Sequence, residues 1–371
     1  MEHSLVKIID RFIGTPLILV LWLFKFFKKP SKSIKKILII MFWGIGSNLY
    51  VLPCIKALKE RFPKAEITVL APEKNKDLFY NNKNIDHKIF VDLGFRQLLG
   101  LLLEIRNKYD VVIDYEHWLN ISAIISFVAG KRRIGFANKL RALLYNDKID
   151  FNKDVHSVYN NMGLLKPLDI EAKPETEKVM VKDDDRDYVK DFLDKKKVSK
   201  EDLLIGICPG SGPTVKARRW PKERFAELAD SLMEKHKAKI IFTGAEDERG
   251  LLLDIKGKMK NKPITFCGAE LSQLIELINN CNLFISNDTG PMHIAAAQGI
   301  RTIGLFGPET PVIFGPFGEK TFSIFKDIEC SPCIKIYKGR HINCEDNKCM
   351  KGITMEEVMD AVERMINYGK S

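Results

Sequence analysis

The chain has 371 residues, 45% hydrophobic and 29% charged, which is too long for one ordinary core and too apolar for disorder over most of its length. Its net charge of +11 is uneven, because residues 1–40 hold eight Lys/Arg (Lys7, Arg11, Lys25, Lys28, Lys29, Lys32, Lys35, Lys36) against Glu2 and Asp10. Composition thus excludes a mostly disordered chain and predicts two domains behind a basic N-terminal segment.

Within that segment, Phe12-Ile-Gly-Thr-Pro-Leu-Ile-Leu-Val-Leu-Trp-Leu-Phe24 continues past Lys25 through Phe26 and Phe27. About sixteen helical residues reach about 24 Å, short of the roughly 30 Å hydrocarbon core, and Pro16 interrupts early. A full span is disfavoured. Lys25, Lys28, Lys29 and Pro30 stand where a signal peptide would need a small-residue cleavage site. Residues 1–34 read as a membrane-associating segment, with Trp22 and the phenylalanines in the interface and the lysines against an anionic membrane surface. A helix covering an apolar groove of the protein itself is the alternative. The first reading implies a cytoplasmic protein, peripheral on the inner face of the cell membrane.

Two strand–helix series follow, over residues 35–175 and 176–353, with residues 354–371 as a closing amphipathic helix. In the first, Ile37-Leu-Ile-Ile-Met-Phe turns through Gly44-Ile-Gly46 into a helix, and Glu66-Ile-Thr-Val-Leu and Tyr109-Asp-Val-Val-Ile-Asp114 are later strands. The dinucleotide-binding fingerprint fails, since its third glycine would fall on Leu49. Lys131-Arg132-Arg133 lacks interleaved aromatics, so nucleic acid is not expected and anionic glycolipid or solvent fits better. Charged and polar residues around 170–200 mark the interdomain region. The second series has strands at Leu203-Leu-Ile-Gly-Ile-Cys, Lys239-Ile-Ile-Phe, Ile264-Thr-Phe, Leu283-Phe-Ile-Ser and Thr302-Ile-Gly-Leu-Phe. The expected fold class is α/β, with two doubly wound Rossmann-like domains facing a cleft.

Three constellations in the second series suit a diphosphate. Asn287-Asp288-Thr289-Gly290 breaks a strand and opens a helix whose first amides and positive end attract an anion, with Asp288 or Thr289 as cap and Gly290 allowing close approach. Pro209-Gly-Ser211-Gly-Pro-Thr214-Val-Lys216-Ala-Arg218-Arg219-Trp220 is a glycine-rich loop with three cations. In Thr243-Gly-Ala-Glu-Asp-Glu248 a carboxylate can accept from ribose hydroxyls or cap a helix. A separate cluster, Cys330-x2-Cys333-x10-Cys344-x4-Cys349, has spacing compatible with tetrahedral metal, reduced thiols or a disulfide.

Taken together, the Gly-Ile-Gly start, Tyr-Asp-Val-Val-Ile-Asp with Arg133-Ile-Gly-Phe, Pro-Gly-Ser with Arg-Trp-Pro-Lys-Glu-Arg-Phe, Asn-Asp-Thr-Gly-Pro-Met-His-Ile-Ala-Ala-Ala, and Leu-Phe-Gly-Pro resemble glycosyltransferase family 9, the ADP-heptose lipopolysaccharide heptosyltransferases. The resemblance covers roughly residues 36–365. It implies a GT-B fold and an inverting, metal-independent transfer without cofactor, from a nucleotide-diphosphate sugar such as ADP-heptose to a lipopolysaccharide-core or related glycolipid. It makes Asp288, Thr289, Gly290 and His293 pyrophosphate and sugar contacts and Glu248 a ribose ligand. Arg218 stands where the family usually has lysine. Ser211, Thr214 and Lys216 complete the donor side, and Gly44, Gly46 and Asn48 the acceptor side.

Where the family usually has a catalytic aspartate after Gly-Ile-Gly, this chain has Ser47, which cannot take a proton at neutral pH. Asp114 and Glu116 are the nearest carboxylates by strand-end position, with His117 a further candidate. The expected chemistry is attack of an acceptor hydroxyl on the anomeric carbon, with charge on the leaving diphosphate met by the Thr289 and Gly290 amides, the Thr289 hydroxyl, and Lys216 or Arg218. Arg218→Ala is expected to cut turnover while leaving folding intact. Alternatives are a membrane-attached nucleotide-sugar-binding protein without transferase activity, and a GT-B enzyme such as a sugar-nucleotide epimerase.

Overall fold

The computed structural model describes residues 10–25, 33–92, 95–212, 215–334, 344 and 346–368. They divide into two compact units, the first running to Glu175 and the second starting at Thr176.

In the first unit, β1 (Lys36–Ile40), β2 (Glu66–Pro72), β3 (His87–Val91), β4 (Tyr109–Asp114), β5 (Gly130–Phe136) and β6 (Asp147–Ile149) form one parallel sheet in the order β3-β2-β1-β4-β5-β6. Central strands β1 and β4 are buried along most of their length, which is why they read as unbroken Ile/Leu/Val runs rather than alternating ones. Leu38, Ile40, Leu70, Ile105, Val112 and Ile125 share the core.

Helix α1 (Thr15–Leu23) packs on α2 (Asn120–Ala129) and on residues 140–145. Ile18 is fully buried there beside Ala123, Ile124, Phe127, Leu144 and Tyr145. The Asp10 carboxylate accepts from the Asn120 and Ile121 amides at 2.9 and 2.8 Å, satisfying donors that α2 leaves open at its N-terminus. Gly14 lets the segment close on α2, since a Cβ there would lie 2.8 Å from that of Asn120. The groove-covering alternative therefore holds for one side of α1. On its other side Phe12, Ile13, Leu19, Val20, Leu23 and Phe24 are 46–71% exposed. No described helix is long and apolar enough to cross a membrane.

One lysine departs from its expected role. Lys25 turns into the protein, donating to the Leu143 and Tyr145 carbonyls, and burial lowers its pKa. Lys28, Lys29 and Lys32 lie outside the described residues. The basic patch is also corrected. Arg133 is fully buried, donating to the Leu144 carbonyl at 2.7 Å, while Arg132 and Lys131 pair with Asp147 and Asp110.

The second unit repeats the design. Strands β7 (Leu204–Cys208), β8 (Lys239–Gly244), β9 (Ile264–Cys267), β10 (Leu283–Asn287), β11 (Arg301–Phe306) and β12 (Thr321–Phe325) form a parallel sheet in the order β12-β11-β10-β7-β8-β9. Ile205, Ile207, Phe225, Phe242, Ile285 and Leu305 make its core, closed by Val358 and Val362. The latter two belong to α4 (Met355–Asn367), started by Thr354 and Glu357 in a reciprocal cap; α3 (Gly290–Ala297) follows β10. In each sheet the order reverses once, between β1 and β4 and between β7 and β10. Ligands of doubly wound sheets bind at the carboxyl ends of the strands flanking that reversal.

Candidate active site

In the second unit the loop after β7 and the turn after β10 flank the reversal, and one buried side chain ties them together. Asn287, the last residue of β10, donates to the Pro209 and Gly210 carbonyls at 2.8 and 3.2 Å and accepts from the Trp220 amide at 3.1 Å. The next residue, Asp288, is 5% exposed and faces Arg218, whose Nε lies 3.2 Å from Oδ2. Arg218 Nη1 also donates to the Asp288 carbonyl at 3.3 Å. Burial raises the Asp288 pKa and the guanidinium opposes that rise. Ion-pair distance is met but hydrogen-bond alignment is not, so Arg218 Nε and Nη2 and Asp288 Oδ2 are buried without hydrogen-bond partners. This leaves guanidinium donors uncommitted at the strand end. Because Arg218→Ala strips a buried carboxylate of its counter-charge, a loss of stability is expected beside the loss of activity.

Thr289 is the N-cap of α3 in extended conformation, and its side chain makes no capping bond. Asp288 does not cap either. The Gly290 amide begins the helix, Pro291 follows in its first turn, and His293 is 8% exposed one turn on. Lys216 is exposed on a short 3₁₀ turn, Lys216–Arg218. Thr214 lies outside the described residues.

Glu248 is held in place by donors of the protein itself. Its Oε1 accepts from the Ser211 and Gly212 amides at 2.9 and 3.0 Å, with Arg219 Nη2 at 3.4 Å, and its Oε2 accepts from the Ala245 amide at 3.3 Å. The carboxylate fits only because residue 210 is glycine, since a Cβ there would lie 2.2 Å from its oxygens. Ser211 Oγ donates to the Val215 carbonyl at 2.9 Å and accepts from Arg219. Asn287 and Arg219, named in their motifs without a role of their own, are organisers of the site. A buried Asn at the end of an apolar strand carries the signal for the first; for the second there was none beyond the basic run.

In the first unit the corresponding loops follow β1 and β4. Gly44 is the extended N-cap of a short helix, Ile45–Leu49, that contains Gly46 and the half-buried Ser47. Asn48 is fully buried, donating to the Trp43 and Gly44 carbonyls at 2.7 and 3.0 Å. Asp114 is corrected as a candidate base. It is sealed, with Oδ1 accepting from the Glu116 amide at 3.0 Å and Oδ2 taking Arg141 Nη2 at 2.8 Å and the Tyr145 hydroxyl at 2.6 Å. Arg141 also donates to Ser122 Oγ and the Glu116 carbonyl, so Asp114 anchors a buried network. His117 stacks on Phe136 at 4.7 Å and abuts Phe151. Burial and Arg141 lower its pKa to about 3, far from what proton transfer at neutral pH needs. Glu116 differs, because burial and the neighbouring Asp114 raise its pKa to about 7. Its Oε1 accepts from the Phe42 amide at 2.5 Å, beneath the loop that carries Ser47.

The four tail cysteines are free thiols, with Cys349 buried beside Gly307. Among the described residues no three His, Cys, Asp or Glu side chains are grouped to hold a metal ion.

Residues 99–340 match the model of glycosyltransferase family 9 (heptosyltransferase). The chain belongs to that family. It is 29% identical over 326 residues to lipooligosaccharide heptosyltransferase 2 of Haemophilus influenzae, covering 80% of this chain and 89% of the relative. The crystal structure of a family 9 glycosyltransferase from Veillonella parvula superposes with TM-score 0.79 at 25% identity, over 91% of this chain and 99% of that one. The Escherichia coli ADP-heptose LPS heptosyltransferase II does so with TM-score 0.71 at 22% identity, covering 91% and 100%. The protein is a glycosyltransferase, and its two parallel α/β units are those of the GT-B fold.

Proposed function

We propose that this glycosyltransferase moves a sugar, a heptose carried by ADP, onto a lipopolysaccharide-core or related envelope glycolipid, with inversion and without a metal ion. The observation that carries the reading is the turn Asn287-Asp288-Thr289-Gly290 at the strand-order reversal of the second unit, with uncommitted Arg218 donors against it. A diphosphate there meets the start of α3, the Thr289 hydroxyl and two cations, Arg218 and Lys216. These groups stabilise the charge that builds on the leaving diphosphate, and one such donor is worth about 3 kcal/mol in a transition state. The donor and acceptor identities rest on the relatives, a lipooligosaccharide heptosyltransferase and an ADP-heptose LPS heptosyltransferase.

The acceptor belongs to the first unit, at the edge formed by Gly44, Gly46, Ser47 and Asn48. With Asp114 tied up by Arg141 and Tyr145 and His117 held neutral, the acceptor's proton is assigned to Glu116, which is itself 1% exposed but lies against the Phe42 amide that leads into the Ser47 loop, and whose pKa burial and Asp114 raise to about 7. The exposed apolar side of α1, together with the lysines around it in the sequence, supports attachment to an anionic membrane surface on the cytoplasmic side. A thermal-shift screen of nucleotide sugars, followed by a transfer assay with lipid extracts, tests the reading. Stabilisation by an ADP-sugar and transfer to a glycolipid are expected. Absence of stabilisation by any nucleotide would overturn it.

A further inference from the structure

Two consecutive arginines in the second unit serve different partners. Arg218 meets Asp288, while Arg219 reaches Ser211 Oγ at 3.2 Å and Glu248. Which way each side chain leaves the backbone depends on the two peptide planes that flank residue 218. The 3₁₀ turn sets part of this, with the Arg218 and Arg219 amides donating to the Val215 and Lys216 carbonyls at 3.1 and 3.0 Å. The carbonyls on either side of residue 218 are held from far along the chain, because Asn347 Nδ2 donates to those of Ala217 and Arg219 at 3.2 and 2.8 Å.

Asn347 is itself anchored. It is half-buried and precedes a single helical turn, Lys348–Lys351, whose Cys349 and Met350 enter the core of the second unit together with Ile353. The loop grips the same stretch in return, since Trp220 Nε1 donates to the Ile353 carbonyl at 3.0 Å and Arg224 Nη1 to that of Lys351 at 2.6 Å. From the strand side, Asn287 takes the Trp220 amide. Both partners of the Asn347 amide are carbonyls, which only accept, so its NH₂ group must face them. Its two hydrogens match two acceptors that straddle Arg218, and an aspartate of the same shape would have none to offer.

We propose that Asn347 is a positioning residue for Arg218, a deepening that rests on the transferase reading above. Holding both flanking carbonyls limits rotation of the two peptide planes and so fixes the direction in which the Arg218 side chain departs. A donor stabilises charge on a leaving diphosphate only if it is in place before the charge develops, and a small displacement of such a group costs much of the rate. Asn347 acts on the reaction through the backbone of residue 218 alone. Its loss should lower kcat more than it raises the donor KM, and only while Arg218 is there to be placed.

The test uses the full chain and two double-variant cycles. With ADP-heptose and lipopolysaccharide, Asn347→Ala and Asn347→Asp are each expected to lower kcat about tenfold, the scale of a sub-ångström displacement, with the donor KM within about threefold, while Asn347→Gln, which keeps the NH₂ group, recovers part of the loss. In an Arg218→Ala/Asp288→Asn background the further change Asn347→Ala should alter kcat by less than about twofold. A full tenfold drop in that background too, or wild-type turnover in Asn347→Asp, would overturn the proposal. The second cycle needs no turnover. If Asn347 holds Arg218 against Asp288, the drop in melting temperature caused by Asn347→Ala should shrink to about half or less once Arg218 is already alanine. Non-additive melts in a protein that shows no transfer would support the positioning and sink the transferase reading alone. Additive melts would reduce Asn347 to a stitch between tail and loop and refute the proposal. Should Asn347→Ala fail to fold, Asn347→Asp carries both cycles.

Discussion

Removing the Arg218 side chain should damage the protein in two separable ways, and the separation can be worked from the Asp288 pair. Arg218 and Asp288 side chains are 12% and 6% exposed, with Nε and Oδ2 3.2 Å apart. Truncating one partner of a buried pair typically costs about 3–5 kcal/mol, because a charge is left without compensation. For a unit of this size each kcal/mol lowers the melting temperature by about 2–4 °C, so Arg218→Ala should melt about 10 °C lower. The deficit should depend on pH in a defined direction. Burial already raises the Asp288 pKa and Arg218 opposes the rise, so without Arg218 the folded-state pKa climbs further above the unfolded value. A raised carboxyl pKa gives stability at low pH that is lost as pH rises through it. The variant should therefore be closest to wild type at low pH and furthest from it at pH 8. Arg218→Ala/Asp288→Asn should recover much of the melting temperature, since the uncompensated charge is gone, while turnover stays about a hundredfold down for want of the phosphate donor. Thermal melts at pH 5 and pH 8 and donor-saturated transfer rates measure all of this. An Arg218→Ala protein with wild-type melting at both pH values, or with full turnover, would refute the pairing or the donor role respectively.

Three further outcomes are expected. Glu116→Gln should lower kcat and remove the acidic limb near pH 7 from the rate profile; a profile that keeps that limb assigns the proton elsewhere. In melts the same variant should gain on wild type as pH rises from about 4.5 to 7, by up to about 3 kcal/mol, because ionising the buried Glu116 opposes folding over that window. Arg141→Ala, which strands fully buried Asp114, should destabilise the first unit by about 3–5 kcal/mol, and a shift under 1 kcal/mol in chemical denaturation would contradict the buried network. Leu19→Ser/Leu23→Ser/Phe24→Ser should leave the melting temperature nearly unchanged, since all three side chains are largely exposed, yet reduce sedimentation with anionic vesicles at least tenfold. Undiminished sedimentation would remove α1 from membrane binding.

Strands buried on both faces were legible because nothing interrupts their apolar runs, as in Ile37–Ile40 and Leu283–Ile285. Edge strands β3, β6 and β12 were not, being short and only partly buried. Strand β5 was hidden by its own charges, Lys131, Arg132 and Arg133, which find partners across the fold rather than in solvent. The turn at 287–290 was readable from its residue types, since a strand that breaks into Asp-Thr-Gly-Pro must open a helix. What those residues do to one another was not. Asp288 meets a guanidinium seventy positions earlier, Asp114 one twenty-seven later, and Trp43 an indole seventy-five later. Such pairings are set by strand order, and local sequence patterns do not encode strand order. Glu248 shows the same limit, since its acidic run was recognisable but its plugging of the Ser211 and Gly212 amides was not.

The most direct measurement is a crystal structure of the protein with ADP. The diphosphate should lie within hydrogen-bond distance of the Thr289 and Gly290 amides, with Arg218 turned onto it. A nucleotide bound with its phosphates away from the β10–α3 turn would contradict the assignment on which the rest depends.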